Sequence, residues 1–282
     1  MTKYNYFNSE RRFNEPGSGN MAIINENKTR MIHRRSGNHS FVSIERFYIR
    51  NAYLPVCEGD NKTWVIRYVK GAEDINESVD LSPYMDDRGL IYKYLNIVKA
   101  LNAALTTLNT TAAEADKPDL QFKLLPDGKL ELDGDKEGYE IYFNENLRLD
   151  LNIFNYERDG IYYELLDTIS HTPIWNLYEV DKISLISNLP VNQEDLSVDE
   201  FSLDLTEGIL TDFQIVDGVG LNNILNVSFI PKGERRLHNL INDVGNSFSL
   251  RFKFKMKSGK EYNLTLTKGG SLSIKILFMD ED

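Results

Sequence analysis

The sequence is poor in the residues that most chemistry and most cross-links need. Cysteine occurs once, at Cys57, among 282 residues. One thiol allows neither a disulfide within the chain nor a cysteine metal cluster, which fits a reducing compartment or a particle assembled in one. Cys57 follows Pro55 with no partner nearby in sequence, and reads as a buried or loop thiol rather than a nucleophile. The four histidines, His33, His39, His171 and His238, form no helical pair and have no carboxylate at metal-ligand spacing, so they read as surface or loop residues. Long apolar runs are missing too. No stretch approaches the roughly 20 apolar residues of a membrane helix, and the opening "MTKYNYFNSERRFNE" lacks the apolar segment of a signal peptide. Sequons such as Asn61-Lys62-Thr63 are then expected to carry no glycan.

Nucleotide and cation fingerprints are equally thin. "GSGNMA", residues 17–22, has the letters of a dinucleotide loop, but Pro16 precedes it and Arg-rich extended sequence follows, so the strand and helix that such a loop needs are not there. In "DGDKEGYEIYFN", Asp133, Asp135, Glu137 and Gly138 stand at the first positions of a calcium loop. Position 12 is Asn144 rather than a bidentate Glu, and strand residues take the place of the exiting helix, so a hairpin turn is expected. Carboxylates are numerous enough to assemble a hydrolytic pair on a β-scaffold, as in any acidic β-protein. No catalytic, metal or cofactor site is assigned.

What is present is β-pattern and charge. The chain is 41% hydrophobic and 27% charged, as a globular protein is. Its net charge of −11 is uneven: residues 1–50 hold nine basic and four acidic residues, a net +5, and the other 232 hold 23 and 39, a net −16. Residues 1–40, rich in Asn, Arg, Ser and Gly, read as an extended basic arm with one strand near Met21–Ile24. Arg11, Arg12, Lys28, Arg30, Arg34 and Arg35 are its candidate contacts to an anionic neighbour, nucleic acid or acidic protein surface; the alternative is an edge strand kept soluble by its charges.

Residues 41–282 read as one body, with room for an internal boundary near 170–176. "FVSIERFYI" alternates as a strand, and Pro55 ends it. "KTWVIRYV" is a second strand. A helix follows, capped by Asp86 or Asp87, with Leu90, Tyr94, Val98, Leu101, Leu105 and Leu108 on one stripe that packs on a sheet. "LQFKLLPDGKLELDG" is a hairpin around Pro126-Asp127-Gly128, and "YEIYF" a strand with Tyr139, Ile141 and Phe143 in phase. "NLYEVDKISLISNL" holds another strand, residues 191–207 are an acidic connection, and "ILTDFQIV" and "ILNVSFI" follow. The ending reads as a three-strand meander with turns at Ser258-Gly259-Lys260 and Lys268-Gly269-Gly270. Phe252, Phe254, Leu264, Leu266, Ile274 and Ile276 face its core. The expected fold is mainly β: an antiparallel sandwich of jelly-roll type with nine to eleven strands, one long helix and the N-terminal arm.

Three segments in this order carry a resemblance: "NSERRFNEPGSGN" from Asn8, "FVSIERFYIRNAYLP" from Phe41, and "KSGKEYNLTLTKGGSLSIKILF" from Lys257. An Asn-Ser-x-x-Arg arm, a strand running into a Leu54-Pro55 corner, and a closing strand with Gly269, Gly270, Ser271, Ser273, Lys275 and Phe278 resemble the jelly-roll capsid proteins of virophages, Polinton-like elements and related eukaryotic double-stranded DNA viruses. After the corner such proteins tend to run into Tyr-Asn, where this chain has Val56-Cys57-Glu58-Gly59-Asp60. The resemblance implies a single jelly roll and the role of a minor capsid, or penton, protein. That would be a structural virion subunit, assembled with itself as a homopentamer and with the major capsid protein, in the host cytoplasm or nucleus. Packaged nucleic acid would be met through the arm, and neither cofactor nor membrane span is implied. The competing readings are a β-sandwich receptor- or carbohydrate-binding spike or fibre module, and a hydrolase on a β-sandwich.

Overall fold

The computed structural model describes the chain except residues 1–2, 11–22, 28–39, 114–116, 154–155, 167–171, 174–176, 190, 192–207, 215–223, 231–237, 241–246 and 281–282. Along the chain come β1 (Lys3–Glu10), β2 (Ile23–Asn27) and β3 (Ser40–Tyr53). Then follow β4 (Cys57–Glu58), β5 (Val65–Lys70), β6 (Glu73–Ser78), β7 (Leu90–Ile91), α1 (Tyr94–Thr111), β8 (Asp119–Leu124) and β9 (Lys129–Asp135). Next are β10 (Glu140–Asn144), α2 (Glu145–Asp150), β11 (Tyr156–Asp159), β12 (Tyr162–Leu165) and β13 (Thr172–Pro173). The chain continues as β14 (Val180–Ser187), β15 (Gly208–Gln214), β16 (Ile224–Phe229) and β17 (His238–Leu240), and ends as β18 (Ser247–Met256), β19 (Glu261–Asn263) and β20 (Thr265–Asp280). Twenty strands among the described residues exceed the nine to eleven expected, because the excursion between β3 and β14 holds sheets of its own.

Two compact units result. The first comprises Met1–Leu54, Val180–Val219 and Ile224–Asp282; the second comprises Pro55–Glu179 with residues 220–223. In the first unit one antiparallel sheet runs β1-β20-β3-β16, with β17 on the far end of β3. The other runs β15-β14-β18, with β2 on one half of β18 and β19 on the other. Two five-stranded antiparallel sheets packed in this way are of jelly-roll type. Phe47 of β3 meets Phe252 of β18 edge-on at 5.0 Å across the sandwich, and stacks on Phe229 of β16 at 4.7 Å.

Three expectations change here. Residues 1–40 are not a single arm outside the body: β1 pairs with β20 over eight residues and β2 with β18 over five, so these stretches are strands of the jelly roll. The ending is not one meander. β18 and β19 pair, but Ser271–Asp280 of β20 pair with β3 in the opposite sheet. The residues read as core are nonetheless all buried: Phe252, Phe254, Leu264, Leu266, Ile274 and Ile276. Gly269, with φ of 75°, sits in a register shift of β20 between Leu266 and Ser271 rather than in a turn between separate strands.

The apolar phase of β3 also slips. Val42 and Ile44 point inward, then Phe47 and Ile49, then Ala52. Ile276 pairs with Ile44 while Lys275 pairs with Arg46, which leaves Glu45 as an extra residue. Arg50 and Asn51 together oppose Asn226, and Asn51, at φ of 53°, donates its N–H to the Asn226 side chain at 3.0 Å. Each bulge turns the following side chains to the other face.

The second unit has a five-stranded sheet, β11-β12-β10-β5-β6, a three-stranded sheet, β13-β9-β8, and the pair β4-β7. α1 packs on β5, β6 and β8. Tyr94, Ile97, Val98, Leu101, Leu105 and Leu108 of α1 lie in a core with Trp64, Ile66, Tyr68, Phe122, Tyr139, Ile141 and Phe143. Each such large side chain contributes about 1.5–3 kcal/mol on burial. Asn102 fixes the register of helix on sheet: its side chain accepts from Phe122 N at 2.8 Å and donates to Phe122 O at 2.9 Å. The helix starts at Tyr94, later than the sequence implies. Asp86 caps a turn instead, its Oδ1 accepting from Arg88 N at 3.0 Å and Leu90 N at 2.9 Å. Gly89 then bends the chain at φ of 76°, and Leu90–Ile91 pair as β7 with β4. The hairpin at Pro126-Asp127-Gly128 is as expected, with Gly128 at φ of 82°.

Candidate assembly surface

The six basic residues singled out in the sequence lie outside the described residues. Arg11 and Arg12 follow β1, and Lys28, Arg30, Arg34 and Arg35 fall between β2 and β3. Residues 17–22, His33, His39 and His171 are outside them too. His238 is buried on β17, its Nε2 2.7 Å from the Leu210 carbonyl to which it donates, rather than on a surface or loop as expected.

Cys57 is buried on β4. Loss of solvent, then the charge of Glu179, pushes its thiol up to about 12. A protonated, enclosed thiol is a poor nucleophile. In the calcium-like loop Asp133 pairs with Lys123, and Asp135 accepts the Glu137 N–H at 3.0 Å; Glu137 and Gly138 make the turn with positive φ. Among the described residues no group of His, Cys, Asp and Glu is placed to hold a metal ion, and no helix is long and apolar enough to cross a membrane.

What the second unit does offer is polar fixation and a charged outer surface. Lys62 Nζ lies 2.5 Å from Glu179 Oε1 and 3.1 Å from Asp150 Oδ2. The other oxygen of Glu179 accepts the Glu58 N–H at 2.9 Å, and Trp64 Nε1 donates to Asp150 at 2.8 Å. Burial disfavours the Lys62 charge, but the hydrogen bond to Glu179 and the charge of Asp150 outweigh it, and its pKa is raised. These residues close the excursion where it begins and ends, since Glu179 N also donates to Val56 O at 2.9 Å. The sequence carries no local signal for this: Lys62 and Glu179 are 117 positions apart, and Lys62 stands out only as the middle residue of a sequon.

On the outer face of the five-stranded sheet Arg67 lies over Tyr142 and Tyr162, at 5.3 and 5.1 Å, and forms two 2.7 Å hydrogen bonds to Asp74. Asp74 is held below the usual carboxylate range by that contact. Glu140, Glu157 and Asp159 stand exposed on the same unit. Large apolar side chains of this unit are exposed at Leu95, Leu149, Ile161 and Leu166. Arginine, tyrosine and large apolar residues are the types enriched where one protein surface meets another.

Comparison with known proteins agrees. Residues 155–280 match the family model of the Sputnik minor capsid protein V18/19. The fold is similar to that in the crystal structure of the mavirus penton protein, with a TM-score of 0.78 and 22% identity over 99% of this chain and 100% of that one. It is similar also to a chain in the cryo-EM structure of the Sputnik virophage, with a TM-score of 0.71 and 18% identity over 98% and 97%. No curated protein matches significantly in sequence. Residues 155–280 are thus similar to a virophage minor capsid family, and over almost its whole length the chain shares the mainly β, jelly-roll fold of the two solved structures.

Proposed function

We propose that the chain is a vertex subunit, five copies closing a ring that the major capsid protein surrounds. The observation that carries this is the whole-length likeness to the mavirus penton protein, one jelly roll against one jelly roll. A ring repeats one interface around its axis, so a single sequence suffices to build it. The basic residues Arg11, Arg12, Lys28, Arg30, Arg34 and Arg35 serve assembly by meeting an anionic neighbour, either an adjoining capsomer or packaged nucleic acid. Assembly takes place in the host cytoplasm or nucleus, where the lone Cys57 stays a thiol.

Electron microscopy of the purified chain, with and without the major capsid protein, tests the proposal. Five-fold rings that occupy vertices are expected. A chain that stays monomeric under both conditions and binds a glycan panel would support the spike reading instead. Replacing the six basic residues by Gln should lower assembly at low salt and leave less difference at high salt, as screening shortens the reach of exposed charges. Unchanged assembly would remove their role.

A further inference from the structure

The second unit holds two arginines against pairs of tyrosines, and they are neutralised differently. Arg67 has its bidentate partner in Asp74, with Asp159 at 3.9 Å. Arg148, on α2, has its guanidinium carbon 4.6 Å from the Tyr156 ring centroid and 4.5 Å from that of Tyr163, and the two rings meet edge-on at 5.0 Å. Among the described residues no carboxylate lies within ion-pair distance of Arg148, and its Nε is buried with no hydrogen-bond acceptor. Glu145 reaches only the Tyr163 hydroxyl, which donates to it at 3.4 Å.

Stacking on aromatic rings satisfies the faces of a guanidinium and makes no use of its in-plane N–H donors. Its setting is apolar: Leu149, the next residue of α2, is 56% exposed, and Ile161, at the β11–β12 turn, is 75% exposed. Tyr162, beside that turn, pairs with Asn144, the cap of α2, so turn and helix lie at one end of the sheet. A hairpin turn favours polar residues and glycine, as Gly160 at φ of 61° illustrates, and Ile161 departs from that preference. Arginine, tyrosine and large apolar residues together are the composition of a contact centre between proteins.

We propose that the Arg148–Tyr156–Tyr163 box, with Leu149 and Ile161 beside it, receives a protein segment that offers a carboxylate next to a large apolar side chain. A carboxylate matches the bidentate fork of the guanidinium. A phosphate group fits less well, because the carboxylate of Glu145, at the Tyr163 hydroxyl, repels a second negative charge more strongly. The inference rests on the vertex reading only for the partner's identity, another virion subunit.

The test is methyl NMR of the full chain, observing Leu149 and Ile161, with N-acetyl-Leu-Glu-amide as probe and N-acetyl-Leu-Gln-amide and inorganic phosphate as controls. The Leu-Glu probe should give saturable shifts that the Leu-Gln probe does not. Arg148→Met should weaken them by about tenfold or more, and Arg148→Lys by less, since lysine keeps the charge but not the fork. No saturable shift, an equal response to Leu-Gln, or a stronger one to phosphate would each overturn the site; these comparisons stand on the unaltered chain even if a variant folds poorly. Ring formation is scored separately. A monomer that binds the probe sinks the vertex reading alone, and a ring that ignores it sinks the box alone.

Discussion

Glu179, the last residue of the excursion from the jelly roll, places one carboxylate oxygen 2.5 Å from the ammonium of Lys62 and the other 2.9 Å from the Glu58 N–H. The lysine side chain is only 9% exposed, so the pair works with little screening. Lys62→Met would leave Glu179 and Asp150 facing each other without a cation. A loss of about 3–5 kcal/mol is expected in denaturant unfolding, and an unchanged midpoint would show the network to be ornamental. The pH dependence has a definite sign. The Lys62 pKa is raised, so its contribution is complete below the ordinary lysine value of 10.5 and fades as pH climbs through the higher folded value. Asp86 is the opposite case. Burial opposes its charge, but hydrogen bonds from Leu90 N and from Arg88 prevail, so its contribution holds above 3.8 and fades as pH falls through the lower folded value.

Phe254 is 1% exposed and stacks on Tyr262 at 5.6 Å. Phe254→Ala should cost about 3–5 kcal/mol through lost burial and the cavity left behind. A loss below about 1 kcal/mol, far from that range, would place the ring outside the core.

Gly134 on β9 has φ of 120°, and a Cβ there would lie 1.7 Å from the Asp119 carbonyl oxygen. Backbone cannot swing aside as a side-chain tip can. Gly134→Ala should therefore open the β8–β9 ladder and lower stability by more than the roughly 1 kcal/mol typical of a point substitution. Gly138, which has open space where a Cβ would stand, is the control: its Ala variant meets only the strain of positive φ, here 80°. Melting temperatures of the two variants in the wrong order would refute the close approach.

A chain beginning at Ser40 lacks β1 and β2, and with them an outer strand of one sheet and half of the cover on β18. No cooperative thermal transition is expected for the jelly roll of such a truncation. A melt equal to that of the full chain would return residues 1–39 to the status of a free arm.

Period is legible in the sequence and partnership is not. The alternation Leu272, Ile274, Ile276 tells that a strand is present and which side chains are buried. It cannot tell that the neighbour is Val42–Ile49, more than two hundred positions away, rather than the adjacent Tyr262 segment. The slip at Glu45 is hidden for a related reason: a bulge exists only relative to a partner. Local features are readable where local chemistry decides them, as at Pro126-Asp127-Gly128. The helix stripe is right from Tyr94 onward and wrong before it, because Asp86 serves a turn as readily as a helix and Gly89 tips the choice. The Arg148 box is invisible, since Arg148, Tyr156 and Tyr163 meet only once α2 and the β11–β12 hairpin are in place.

The hydrogen bond from Glu179 N to Val56 O means that the chain departs from the jelly roll and returns to it within the width of one strand pairing. To the strands on either side, the intervening stretch is then geometrically equivalent to a short hairpin, whatever its length. Loops inside that stretch can therefore lengthen or shorten without parting Val56 from Glu179, as the span of a bridge is fixed by its piers and not by the road between them.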